Sequence, residues 1–251
     1  MSTWIGVGRS EIGFVRALNQ DAFAVLNEVG IWAVADGMGG HAGGEVAAQT
    51  AIATVQAEAG ASSNLLANDH ASPADALTDL IGRAHEAILN RASSKSKLKG
   101  MGTTIVLVAI VSTPVPIAYL AHVGDSRAYR FRSGTLTPLT KDHTLIEKYL
   151  ERGILTTETA KTHPERHVLT RALGVGSAVK PTITAFPILP EDLVLLCSDG
   201  LTKMLEDEDI QAVFAAGDLD PTQVCNRLVT AALDRGGEDN VTVVVVAHRS
   251  S

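Results

Sequence analysis

The sequence is poor in several features that would fix a function class quickly. It has only two cysteines in 251 residues, Cys197 and Cys225, at no metal-pair spacing. That excludes a disulfide framework and a zinc knuckle and leaves two buried thiols suited to a reducing compartment. It has no excess of basic charge: 21 Lys and Arg stand against 28 Asp and Glu, a net charge of −7. Nucleic acid and anionic membrane surfaces reward a basic face, so neither is expected as a partner. It has no long apolar run: Ile105 to Val111 and Val243 to Ala247 are the longest, far short of the ~20 residues of a membrane helix. The first residues show no basic stretch followed by an apolar one, so no secretory leader is read and a cytoplasmic, soluble protein is expected. Internal repeats and low-complexity linkers are absent too, and one domain over residues 1–251 is expected, acting as a monomer.

What the sequence does have is strand and helix patterning in a mixed order. Apolar runs at Ala22 to Leu26 and Ile31 to Ala35, split by Asn27-Glu-Val-Gly30, read as a hairpin. A Gly-rich loop follows, then helical spacing from Gly44 to Ala59 and a second helix opened by Ser72-Pro73 and running to about Arg91. Thr103 to Val111, Ile117 to Val123 and Arg127 to Phe131 read as a three-stranded meander. Lys141 to Leu173 is polar and helix-forming and interrupts the strands, which makes it a candidate substrate-side flap. Strands return at Thr182 to Phe186 and Leu193 to Cys197, then helices from Asp207 and Asp220-Pro221, then a last strand at Val241 to Ala247. Thr103 to Val111 and Val241 to Ala247 are apolar at nearly every position, so both of their faces should be covered. The expected fold is therefore α+β, a four-layer αββα sandwich of two mostly antiparallel sheets flanked by helices.

Five aspartates sit at the ends of these strands. They are Asp21 at the head of the hairpin, Asp36 in Val34-Ala-Asp-Gly37, Asp125 in Val123-Gly-Asp-Ser126, Asp199 in Cys197-Ser-Asp-Gly200 and Asp239 in Glu238-Asp-Asn240. Any one of them could cap a turn or a helix. Gathered on one rim they would repel, by about 4 kcal/mol per pair at ~4 Å and an effective dielectric of ~20, and a divalent cation resolves that conflict. An all-oxygen donor set suits Mg²⁺ or Mn²⁺, and two ions can be accommodated. Gly37 has no side chain, so its carbonyl can approach a metal closely.

Arg16-Ala-Leu-Asn-Gln-Asp21, Val34-Ala-Asp-Gly-Met-Gly-Gly-His-Ala-Gly43, Gly102-Thr-Thr104, His122-Val-Gly-Asp-Ser-Arg127, Leu196-Cys-Ser-Asp-Gly-Leu201 and Gly237-Glu-Asp-Asn-Val-Thr242 follow one another in order. Together they resemble the metal-dependent Ser/Thr protein phosphatases of the type 2C class, in their compact bacterial form. The resemblance implies two Mn²⁺ or Mg²⁺ ions bridged by Asp36. Asp199 and Asp239 would serve the first ion, and the Gly37 carbonyl with Asp21 the second. Asp125, with Asp199, matches the holder of a third, weaker ion. Arg16 matches the phosphate-binding arginine and His41 the proposed general acid. A water or hydroxide between two ions has a lowered pKa and would attack phosphoserine or phosphothreonine directly, without a phosphoenzyme. Gln20 departs from the pattern, standing where many members have Glu, and makes the second site less anionic. The implied partners are phosphorylated proteins, a Ser/Thr kinase and its substrates among them.

Other readings fit less well. Gly37-Met-Gly39-Gly-His-Ala42 has dinucleotide-fingerprint spacing, but no second parallel strand with an acidic end follows the helix. Gly124-Asp-Ser126-Arg-Ala128 has the spacing of a nucleophile elbow, but a strand follows it where a helix is required. Two alternatives stay open: a two-metal enzyme for small phosphate esters or nucleotides, and a phosphatase-like sensor without turnover.

Overall fold

The computed structural model describes residues 4–39, 43–61, 72–111 and 115–249. In the first half it has strands β1 (Trp4–Glu11), β2 (Asp21–Leu26) and β3 (Ile31–Met38), helices α1 (Gly43–Ala61) and α2 (Pro73–Ser94), and strands β4 (Gly102–Thr103), β5 (Ile105–Val111) and β6 (Ile117–Val123). In the second half come β7 (Arg127–Arg132), β8 (Thr135–Pro138), α3 (Leu145–Glu151), α4 (Thr157–Lys161), β9 (Thr182–Pro187) and β10 (Leu193–Cys197). The last elements are α5 (Asp199–Thr202), α6 (Asp207–Ala215), α7 (Pro221–Asp234) and β11 (Val241–His248). No described helix is long and apolar enough to cross a membrane.

The strands form two antiparallel sheets, ordered β1-β11-β10-β7-β8 and β2-β3-β5-β6-β9, with the short β4 paired to β3. The continuous apolar runs have the two-sided burial their composition demands. On β5, Ile105, Leu107 and Ala109 pack under α1 and α2, while Val106, Val108 and Ile110 face the other sheet. On β11, Val241, Val243 and Val245 pack under α6 and α7, while Val244 and Val246 face inward. A central layer containing Trp4, Trp32, Leu120, Val194 and Leu196 joins the sheets. The expected αββα sandwich is therefore the observed one.

One expectation needs correction, and one strand was not expected. The three strands after the second helix do not form one meander: β5 and β6 pair, but β7 lies in the opposite sheet between β10 and β8. The connector is why. Gly124 takes φ 105° and, with Asp125 and Ser126, turns the chain across the gap between the sheets. The unexpected strand is β1, an edge strand that sequence patterning did not show, antiparallel to β11 along its whole length from Trp4↔His248 to Glu11↔Val241.

Helix α2 illustrates a local start signal that holds. Ser72 Oγ accepts from the Asp75 N–H at 3.2 Å, the Asp75 carboxylate accepts from the Ser72 N–H at 3.3 Å, and Pro73 starts the first turn. Replacing Ser72 by Ala is expected to remove about 1 kcal/mol of stability. Chemical denaturation reads this as a lower midpoint at unchanged slope.

The stretch expected as a flap, Lys141 to Leu173, contains only the two short helices α3 and α4. An isolated bridge, Thr144↔Leu169, closes the stretch on itself, and a second, Thr103↔Leu173, ties its end to the body.

Candidate active site

The ends of β3, β6 and β10, the β1–β2 loop and the α7–β11 turn meet at one edge of the sandwich. There they wall a groove of about 830 Å³. Asp36, Gly37, Asp125, Asp199 and Asp239 line it together with Arg16, Gln20 and Asn240. Residues from five separate stretches of chain are thus brought to one place. His41 lies outside the described residues.

Antiparallel pairing positions the first two carboxylates, since Asp21 on β2 is directly opposite Asp36 on β3. Asp36 is fixed through its backbone: its N–H donates to Thr104 Oγ1 at 3.0 Å, and its carbonyl accepts from the Thr104 N–H at 2.9 Å and Thr103 Oγ1 at 2.8 Å. That accounts for the paired threonines of Gly102-Thr-Thr104. Thr104 Oγ1 also lies 2.6 Å from Ser126 Oγ, which ties the Asp36 strand to the Asp125 turn. The Gly37 N–H donates to the Gln20 carbonyl at 3.1 Å.

Asn240 staples the far side. Its Nδ2 donates to the carbonyls of Ile12 and Leu18, at 2.9 and 3.0 Å, and its Oδ1 accepts from the Gln20 N–H at 2.8 Å. The loop that carries Arg16 is thereby held against the turn that carries Asp239. Arg16 donates from Nε to Asp239 Oδ1 at 2.7 Å and from Nη2 to Oδ2 at 2.8 Å, with half of its side chain still exposed.

The electrostatics are those of crowded carboxylates. Burial pushes the Asp21 carboxyl up to about 7, and Asp199 and Asp239 add to the rise against the Ser198 hydroxyl that opposes it. Asp36 is raised well above the ordinary range, first by burial and then by Asp21, Asp199 and Asp125. Asp125 rises to about 7, again by burial first and then by Asp199 and Asp142. Asp239 moves the other way. Burial would raise it, but the hydrogen bonds from Lys203 and Arg16 outweigh that and hold it below its usual value.

Among the described residues no three carboxylate, imidazole or thiolate groups stand in ready-made metal geometry. Instead the Lys203 ammonium lies 2.6 Å from Asp199 Oδ2 and 2.8 Å from Asp239 Oδ2. The residues nevertheless fit divalent metals. All donors are oxygens, several carboxylates share too little positive charge, a cation already sits between two of them, and Asp21 Oδ1 is buried without a hydrogen-bond partner. Asp21 Oδ2 accepts from Ser198 Oγ at 2.7 Å, just before Asp199 in the chain.

Sequence reasoning missed Lys203, and also His167, Arg171 and Lys180, which line the same groove. The signal for Lys203 was present as an acid and a base four residues apart, spanning α5 from its first residue to its C-cap. His167 and Leu169 to Ala172 belong to the expected flap, so that stretch does border the site.

The family model described as protein phosphatase 2C matches residues 8–233. The serine/threonine protein phosphatase PstP of Mycobacterium tuberculosis is 39% identical over 238 residues, which is 94% of this chain but 43% of that protein, so the chain spans less than half of that relative's length. The serine/threonine phosphatase stp of Listeria monocytogenes is 34% identical over 95% of this chain and 93% of its own. Among solved structures, the catalytic domain of PstP in complex with two manganese ions superposes with a TM-score of 0.83 at 34% identity, covering 98% of this chain and 99% of that one. With motifs, sheet topology and these likenesses in agreement, the chain belongs to the protein phosphatase 2C family.

Proposed function

We propose that the protein is a metal-dependent phosphatase that hydrolyses phosphoserine and phosphothreonine in other proteins. The observation that carries this reading is the convergence of Asp36, Asp125, Asp199 and Asp239 on one groove that also holds Arg16. Asp36, Asp199 and Asp239, with Asp21 and the Gly37 carbonyl, would hold two Mn²⁺ or Mg²⁺ ions, and Asp125 with Asp199 a weaker third. When bound, the ions neutralise phosphoryl oxygens and supply an acidified water as nucleophile. The chain's own residues do the remainder. Arg16, already presented as a two-pronged donor beside Asp239, would take two phosphoryl oxygens and orient the phosphorus for in-line attack. Asn240 keeps that arginine's loop in place. His41 would give its proton to the leaving alkoxide.

The two sheets share one central core, which supports a single catalytic domain. The bordering segment from Lys141 to Leu173 is where we place substrate selection. Reversing Ser/Thr phosphorylation presupposes the kinase that made it, so a Ser/Thr kinase and its substrates are the partners of this reading. The two unpaired, buried cysteines suit a cytoplasmic location, and we expect a monomer.

The test is a panel of phosphoserine and phosphothreonine peptides beside nucleotides and small phosphate esters, each with Mn²⁺, with Mg²⁺ and after exhaustive chelation. Peptide turnover that vanishes on chelation and returns with metal is expected. Undiminished turnover without metal would sink the mechanism, and turnover of nucleotides but of no phosphopeptide would replace the substrate.

A further inference from the structure

We infer that Lys203 is a displaceable counter-ion of the carboxylates: its ammonium occupies the place between Asp199 and Asp239 that a divalent cation needs, so the two compete. The inference rests on the proposed metal role of those aspartates. The ammonium's two ion pairs go to these two carboxylates, at 2.6 and 2.8 Å, and they belong to different loops. One lysine thus closes the gap between the start of α5 and the α7–β11 turn, which is the work expected of a metal there.

The backbone at this point is fixed. The Lys203 N–H donates to the Asp199 carbonyl at 2.8 Å, on the same turn of chain. Four methylene groups separate that backbone from a compact charge that can rotate away without moving it. There is also somewhere to go. Lys203 lines a second groove, beneath the flap, so its side chain borders open space besides the two carboxylates it holds. An arginine at this position would bind both carboxylates as a rigid fork; a lysine holds them as a point charge and yields more readily to a divalent ion.

The consequence is a protein whose carboxylates are partly neutralised before metal arrives, and whose metal affinity is lower than its donor set alone would give. Binding of Mn²⁺ then carries the cost of breaking two short ion pairs, and the site fills only when the metal concentration is high enough to displace the lysine.

The experiment compares the parent protein with Lys203→Met, Lys203→Gln and Lys203→Arg, using calorimetric titration with Mn²⁺ and thermal melting of the metal-free proteins. With the ammonium removed, Mn²⁺ is expected to bind about tenfold more tightly, while the metal-free protein melts about 3 °C lower. Lys203→Arg should keep weak binding and the parent melting point. Circular dichroism reports folding, and the glutamine variant serves if the methionine one misfolds. Affinity unchanged or weakened in both charge-free variants overturns the assignment of Lys203 alone. Absence of Mn²⁺ binding in every protein, parent included, overturns the metal reading with it.

Discussion

Asp199→Asn is expected to lower kcat/KM on a phosphoserine peptide by at least about a thousandfold, or ~4 kcal/mol of transition-state stabilisation. The exchange is isosteric, so the groove keeps its shape and loses one negative charge. That charge raises the carboxyls of Asp21, Asp36 and Asp125, which places Asp199 electrostatically at the middle of the cluster. An amide is a poorer ligand for Mg²⁺ or Mn²⁺ than a carboxylate. The fold should not suffer: the exchange loses the ion pair with Lys203, which keeps its second pair with Asp239, while losing one of several crowded carboxylates relieves repulsion in the metal-free state. A melting temperature equal to or above that of the parent, together with collapsed turnover, is the expected pair of results. A rate within tenfold of the parent would remove Asp199 from the site.

Gly200→Ala is expected to hurt both stability and activity, by a different cause. A Cβ at this position would lie 2.0 Å from the Asn240 carbonyl oxygen, 2.9 Å from its carbon and 3.4 Å from Asp239 Cβ. The obstacle is backbone and cannot rotate away, so α5 and the start of β11 must separate. Overpacking of this kind costs about 3 kcal/mol. The same separation moves Asp199 from Asp239 and disturbs the Asn240 staple, and a displacement near 1 Å at reacting groups costs ~100-fold in rate. Denaturant unfolding and metal-loaded turnover measure the two effects. Parent-like values for both would mean that the two loops tolerate greater distance than their contact implies.

Much of the architecture was legible because burial leaves a direct mark on composition. A strand such as β5, apolar on both faces, can exist only between two covering layers, and that alone implied paired sheets with helices outside. The helix starts were legible where a cap is local, as at Ser72 and Asp220. Partner choice was not local. Nothing in Arg127 to Phe131 says that it pairs with β10 and not with β6, because both neighbours present apolar faces of similar character. The first strand carries two glycines, Gly6 and Gly8, which weaken a strand pattern. In the structure Gly6 is an accommodation to the facing sheet, since a Cβ there would lie 2.2 Å from the Trp32 indole.

The site divides the same way. Asp21, Asp36, Asp125, Asp199 and Asp239 were found because strand ends carry them beside turn residues. Lys203 escaped because a lysine one turn after an aspartate is commonplace on any helix. What gives it meaning is Asp239, 36 positions away in sequence and 2.8 Å away in space. Asn240 holds the β1–β2 loop through Ile12, Leu18 and Gln20, partners more than 200 positions away that no local pattern names.

The placement of β11 between β1 and β10 has a consequence for how the molecule is made. During synthesis the ribosome would deliver every other described strand before this one, so the first sheet stays split, with β1 lacking its neighbour, until residues 241–248 emerge. Asp239 and Asn240 arrive only just ahead of it. A nascent chain released before that point would therefore hold Asp21, Asp36 and Asp125 without the turn that completes their surroundings, and the groove would be whole only once residues 241–248 had joined the sheet.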